Sequence, residues 1–181
     1  MPQTPTSLVE ALRRYRDQWQ GEIAVVTEFE KFLHTHADVF DRRHLGGHFT
    51  GSCWLVSADG ARVLLMHHHK LGLWLQPGGH ADGDTDLAHV ALREAQEETG
   101  VVGLRVEGDI FDVDRHRIPA RANEPEHWHY DVRHVVRASV DERFTINEES
   151  HALAWRAVTE VADDIALDAS LRRMARKWLA Q

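Results

Sequence analysis

One segment constrains this chain more than any other. A Pro77-Gly78-Gly79 turn precedes a helix-forming stretch that ends Arg93-Glu94-Ala95-Gln96-Glu97-Glu98-Thr99-Gly100. The apolar spacing predicts a helix over about residues 84–99, stopped by Gly100, which tolerates the left-handed conformation that closes helices. Stepping about 100° per residue from Leu87 puts Leu87, Val90, Ala91, Leu92 and Ala95 on one broad side. Glu94, Glu97 and Glu98 overlap that apolar side, whereas His89, Arg93 and Gln96 face away from it. Carboxylates one turn apart repel each other, and a place beside the core makes their ionisation costlier still. A hard divalent cation relieves both problems, because magnesium and manganese prefer carboxylate oxygens. The alternative is that Glu97 and Glu98 are solvated charges at a helix end. The glycine turn favours the metal, since it lets backbone amides and carbonyls approach a cation or a phosphate closely.

The rest of the chain supplies a frame for that helix. Ser7 is a candidate N-cap for a helix reaching about residue 20, with Leu8, Leu12, Tyr15 and Trp19 at helical spacing. A second helix is predicted over about 22–40, with Ile23, Val26, Phe29, Phe32 and Leu33 inward. Residues 42–50 read as a loop around Gly46-Gly47. Residues 51–57 and 61–66 read as a hairpin turned by Ala58-Asp59-Gly60, and 71–76 as a short apolar piece. Strand-like runs follow at 101–113, 130–140 and 152–158, with a loop over 117–127 that holds Pro119 and Pro125, and a last helix over 169–179. Strands in the middle and helices on their flanks predict a layered α/β domain over 43–181, preceded by a helical extension over 1–42.

Composition narrows the function. The 181 residues carry a formal net charge of -8, the wrong balance for a non-specific nucleic-acid binder. An acidic enzyme that takes an anionic phosphate substrate must neutralise it locally, and a bound divalent cation is the usual means. The single cysteine, Cys53, rules out an intrachain disulfide and agrees with a reducing compartment. Neither a signal-peptide pattern in residues 1–20 nor an apolar run of roughly 18 residues is evident, so a cytoplasmic protein without membrane contact is expected. Monomer and homodimer both stay open.

The segment from Gly79 to Val101 resembles the Nudix box, G-x5-E-x7-R-E-U-x-E-E-x-G-U, where U is aliphatic. Gly79, Arg93, Glu94, Glu97, Glu98, Gly100 and Val101 stand at motif positions, and Ala95 fills the first U position as a small residue. Thr85, between Asp84 and Asp86, replaces the first Glu; it reads as a helix cap, with either aspartate able to supply the lost charge. The resemblance covers roughly residues 48–165. It implies a Nudix-like α/β/α sandwich with a mixed sheet and an N-terminal helical extension outside it. It also implies a hydrolase that cuts a pyrophosphate bond in a nucleoside diphosphate linked to another moiety, with Mg2+ (or Mn2+) as cofactor. By that resemblance Glu97 and Glu98 are the principal metal ligands. Glu94 is a further ligand or the base that activates water, the Gly79 carbonyl joins the coordination, and Arg93 orients Glu94. Family members often add a later carboxylate, for which Glu148 and Glu149 are candidates. The substitution at Thr85 keeps open an inactive nucleotide sensor on the same fold.

The 14 histidines are about three times ordinary usage. In His127-Trp128-His129-Tyr130-Asp131, strand alternation puts His127, His129 and Asp131 on one face. With His48 and His80, these histidines form a candidate second metal site, since neutral imidazole suits zinc, manganese, iron or nickel. The alternatives are contact with substrate phosphate, or plain packing. The pattern is also distantly similar to isopentenyl-diphosphate isomerase, which shares the fold and has histidines where His48 and His80 fall. The catalytic cysteine of that enzyme would fall at Gly78, and Cys53 belongs to another element, so its chemistry is not expected here. Trp74, Trp128 and Phe49 are candidates to stack on a base, with Trp128 preferred. Arg115, Arg117 and Arg121 are candidates to meet phosphates, with Arg117 preferred. Packing residues and solvated charges are the plain alternatives.

Overall fold

The computed structural model describes residues 5–69, 71–121, 124–148 and 150–181. Helices α1 (Pro5–Gln18) and α2 (Ile23–Thr35), linked by a single 3-10 turn, lead into strands β1 (Gly47–Val56), β2 (Arg62–His68), β3 (Trp74–Leu75) and β4 (Gly78–His80). Helix α3 (Leu87–Thr99), strands β5 (Arg105–Ile118), β6 (His127–Arg137) and β7 (Ser150–Ala157), and helices α4 (Val158–Asp163) and α5 (Ala169–Leu179) complete the chain.

The seven strands form one mixed sheet in the order β3-β2-β1-β6-β5, with β4 paired to β1 and β7 to β2. β1 is its spine. It runs parallel to β6 over ten paired positions, from Gly47↔Trp128 to Val56↔Arg137, while the other pairings are antiparallel. On its other edge β1 meets β2 at Val56↔Val63 but β4 at Thr50↔His80, so the sheet parts there.

Successive β1 side chains point to opposite faces, and their partners show what covers each face. Phe49 packs with Leu8, Leu12, Tyr15, Phe29 and Val90; Cys53 and Leu55 pack with Ala91 and Ala95. Trp54 and Val56 pack instead with Val158, Val161, Leu171 and Met174. Helices α1, α2 and α3 therefore cover one face and α4 and α5 the other. This is the predicted sandwich, and the helical extension shares its core with the sheet.

Four local expectations are corrected. Helix α1 starts at Pro5, so Ser7 lies within its first turn and not at its cap; proline suits that place because the first amides lack helical partners anyway. Ile23 is 47% exposed. Helix α2 stops at Thr35, because His36 is extended and Asp38 takes a left-handed φ of 57°. Val39 and Phe40 thus enter the core from a loop tied to β1 by the Phe49 amide donating to the Val39 carbonyl. Helix α4 was not foreseen, since its six residues are too few to show a period.

Candidate active site

The glycine turn becomes β4, and its two glycines are required by what lies against them. A Cβ on Gly78 would come within 2.7 Å of Ser52 Cα, and one on Gly79 within 2.6 Å of Glu94 Cδ. At Gly78 the obstacle is backbone and at Gly79 it is the Glu94 carboxylate, so β4 lies flush between β1 and α3. Helix α3 is fixed at both ends. Asp86 caps it by accepting from the His89 amide at 3.1 Å, and Gly100, at φ 66°, donates to the Gln96 carbonyl. Asp84 accepts from the Asp86 amide and from His89 Nδ1. The cap is therefore Asp86 and not Thr85: a carboxylate one residue nearer the first turn reaches the free amides.

Two of the three box glutamates meet β4. Glu98, 6% exposed, accepts from the Gly78 amide at 2.9 Å. Glu94 Oε1 accepts from Arg93 Nη2 at 2.7 Å, and the same nitrogen donates to the His80 carbonyl at 3.0 Å, tying helix to strand. Glu97 is exposed, and its carbonyl accepts from Asn147, which brings the loop holding Glu148 to the end of α3. Glu149 lies outside the described residues.

Glu94, Glu98, Gly79, Glu148 and Arg117 line a cleft of about 1030 Å³. Its floor is a polar row of which sequence reasoning named only Asp131. Asp131, buried, accepts from Thr50 Oγ1 and Ser52 Oγ, each at 2.8 Å, and from Arg133 Nε at 2.7 Å. Arg133 also pairs with Asp112 at 3.1 Å, and Arg173 and Lys177 of α5 reach Asp112 at 2.7 and 2.6 Å. Burial opposes ionisation of Asp114, yet His116, Arg133 and Arg173 together hold its carboxyl well below the usual range. The available signal was the alternation of Asp112 with Asp114 and of Asp131 with Arg133.

The four singled-out histidines come together at one end of this row. β1 pairs His48 with His129 of β6 and Thr50 with His80 of β4. Ligand nitrogens of His48, His80 and His129 all lie within 4.8 Å of one another. The His127 ring lies 4.9 Å from that of His48 and 5.1 Å from that of His129. Burial pulls the His48 pKa down to about 4, with His80 and His127 adding to the effect; burial, with His48 and His116 beside it, holds His129 well below its usual value.

Arg117 is at the cleft wall, ion-paired with Glu126. Trp128 is not among the residues that line the cleft. It alternates to the helical face of β6, where Arg115 lies 3.8 Å over its ring and the α1/α2 cluster packs against it. Phe49 is buried in that cluster, and Trp74 packs partly into the opposite core. Cys53 is buried with its thiol pKa pushed well up, remote from nucleophilic use.

A mixed sheet between helical layers, with an acidic helix laid against a glycine strand at the mouth of a polar cleft, defines an α/β/α sandwich. The chain belongs to the Nudix family: the NUDIX domain profile matches residues 47–179. A Mycobacterium tuberculosis protein named "Putative 8-oxo-dGTP diphosphatase 3" is 32% identical over 118 residues, 58% of this chain and 49% of that protein. The chain thus spans about half the length of the curated relatives it matches. Among solved structures, a Caenorhabditis elegans Ap4A hydrolase binary complex aligns with TM-score 0.58 at 18% identity, covering 73% of this chain and 95% of that one. A NUDIX-family hydrolase from Clostridium perfringens aligns with TM-score 0.57 at 20% identity, covering 74% and 98%. These two likenesses establish the fold.

Proposed function

We propose that this chain is a divalent-cation-dependent pyrophosphohydrolase acting on a nucleoside diphosphate linked to another moiety. The observation that carries the reading is the seating of Glu94 and Glu98 on the Gly78-Gly79 edge of the cleft. The name of the Mycobacterium tuberculosis relative points to a nucleotide substrate.

The donor set suits a hard cation. Carboxylates crowd a strand edge at which a Cβ on Gly79 would strike Glu94, so the ligands and a backbone carbonyl share one cradle. Glu94, Glu97, Glu98 and the Gly79 carbonyl would hold the ion, Mg2+ or Mn2+. When bound, such an ion lowers the pKa of a water and offsets charge on a diphosphate. Arg93 fixes the direction of Glu94 through the ion pair and the His80 carbonyl, which leaves Glu94 placed to bind cation or to accept a proton from water. Arg42 and Arg117 line the cleft, each held by a carboxylate, Asp82 and Glu126 respectively, and so stand ready at fixed places for phosphate oxygens.

The test is a panel of dinucleotides, sugar nucleotides and nucleoside triphosphates with Mg2+ or Mn2+. Cation-dependent turnover of at least one member is expected. Glu97→Gln should remove most of it without moving the melting temperature, because Glu97 is exposed. Nucleotide binding without turnover across the panel would overturn the reading in favour of an inactive sensor.

A further inference from the structure

We propose that His48, His80 and His129 form a binding site for one borderline divalent cation of the zinc, cobalt and nickel class, opening into the same cleft as the glutamates but separate from them. The proposal stands apart from the hydrolase reading and does not rest on it.

The first argument is placement. The three histidines come from three adjacent strands, β1, β4 and β6, and the ladders that pair Thr50 with His80 and His48 with His129 fix their backbones. Their ligand nitrogens already lie within 4.8 Å of one another. Sites built on strands hold such geometry better than sites on loops.

The second is an unmet demand. His48 is 1% exposed, and among the described residues neither ring nitrogen has a hydrogen-bond partner of good geometry, the His44 backbone acting on the ring only weakly against its burial. A buried polar group left without a partner is destabilising. No packing argument explains an imidazole there, since its ring neighbours are the histidines of the cluster. Coordination gives one of those nitrogens a partner.

The third is the state of the rings. His127 Nδ1 lies 2.9 Å from the Pro125 carbonyl, which can only accept, so that nitrogen carries a proton. Its Nε2 lies 3.2 Å from His129 Nε2, so one of the two nitrogens donates to the other. This contact makes His127 the partner that orients the His129 ring. Neutral imidazoles are what a borderline cation binds, and magnesium prefers oxygen.

The experiment uses the full, untagged chain stripped of metal. Cobalt(II) is titrated in excess Mg2+ while its visible absorption is followed, and zinc is titrated by calorimetry. One equivalent should bind despite the Mg2+, and Glu97→Gln should leave the cobalt spectrum unchanged. His80→Ala and His129→Ala should each weaken binding by more than the roughly 10- to 100-fold typical of losing an outer partner. Melting curves identify any variant that fails to fold, and half-buried His80 gives a second variant should His129→Ala fail. The rings of His67 and His69 approach His151 at another lip of the sheet, so His67→Ala/His69→Ala is the control. Absence of binding in the presence of Mg2+ overturns the proposal, as does binding that survives His80→Ala and disappears in the control. Stoichiometric cobalt binding in a protein without hydrolase activity would sustain this site and sink the hydrolase.

Discussion

Gly79→Ala separates the fold from the chemistry. The new Cβ would sit 2.6 Å from Glu94 Cδ and 2.6 and 2.8 Å from its oxygens, where ordinary contact begins near 3.4 Å. The carboxylate must retreat by about 0.8 Å, and a misplacement on the order of 1 Å can cost roughly 100-fold in rate. The yielding group is the tip of a flexible side chain, so stability should fall by less than about 1 kcal/mol. Gly78→Ala is the contrast. Its Cβ would press within 2.7 Å of Ser52 Cα, where backbone must move, and about 1–3 kcal/mol of stability should go with it. Turnover on the best substrate of the panel, Mn2+ affinity by calorimetry, and urea unfolding of both variants decide the matter. The reasoning fails if Gly79→Ala keeps its turnover and Mn2+ affinity within about threefold of the parent, or unfolds as readily as Gly78→Ala.

Two further outcomes follow from buried charge. Arg133→Met leaves Asp131 without its 2.7 Å ion-pair partner and removes a cation from Asp112, and should cost about 3–5 kcal/mol in urea unfolding; a loss below about 1 kcal/mol would mean the network is not a buried ion-pair system. Burial pushes the His134 pKa from 6.5 down to about 4, although nearby Asp109, Asp86 and Asp131 pull the other way. Between those values the unfolded chain binds a proton that the folded chain does not, so stability rises with pH there. The contribution should be intact above pH 6.5 and lost as pH falls toward 4, by on the order of 3 kcal/mol, and His134→Leu should flatten that part of the slope. An unaltered slope would show that His134 is not the residue that resists protonation.

What was legible in the sequence follows the range of the interactions. The glutamate helix was readable because its glycine stop, period and charges lie within one element, and the fold and family expected from it agree with the structure and the NUDIX match. The cap moved from Thr85 to Asp86 because first-turn residues compete for the same amides, and a spacing rule cannot rank them. The histidines were readable as candidates by alternation. Their convergence depends on β1 lying parallel to β6, about eighty residues away, and no local pattern specifies a parallel partner. Trp128 shows the same limit from the other side. Its neighbours His127 and His129 face the cluster, so alternation alone sends Trp128 to the opposite face, where α1 and α2 wait. The period that brings the histidines to the cleft also places the tryptophan away from it. A strand that contributes to a site on every second residue gives the intervening residues to the core, so any substrate-stacking aromatic in this fold should be sought on the parity of His48, Thr50 and Ser52, or on the loops that rim the cleft.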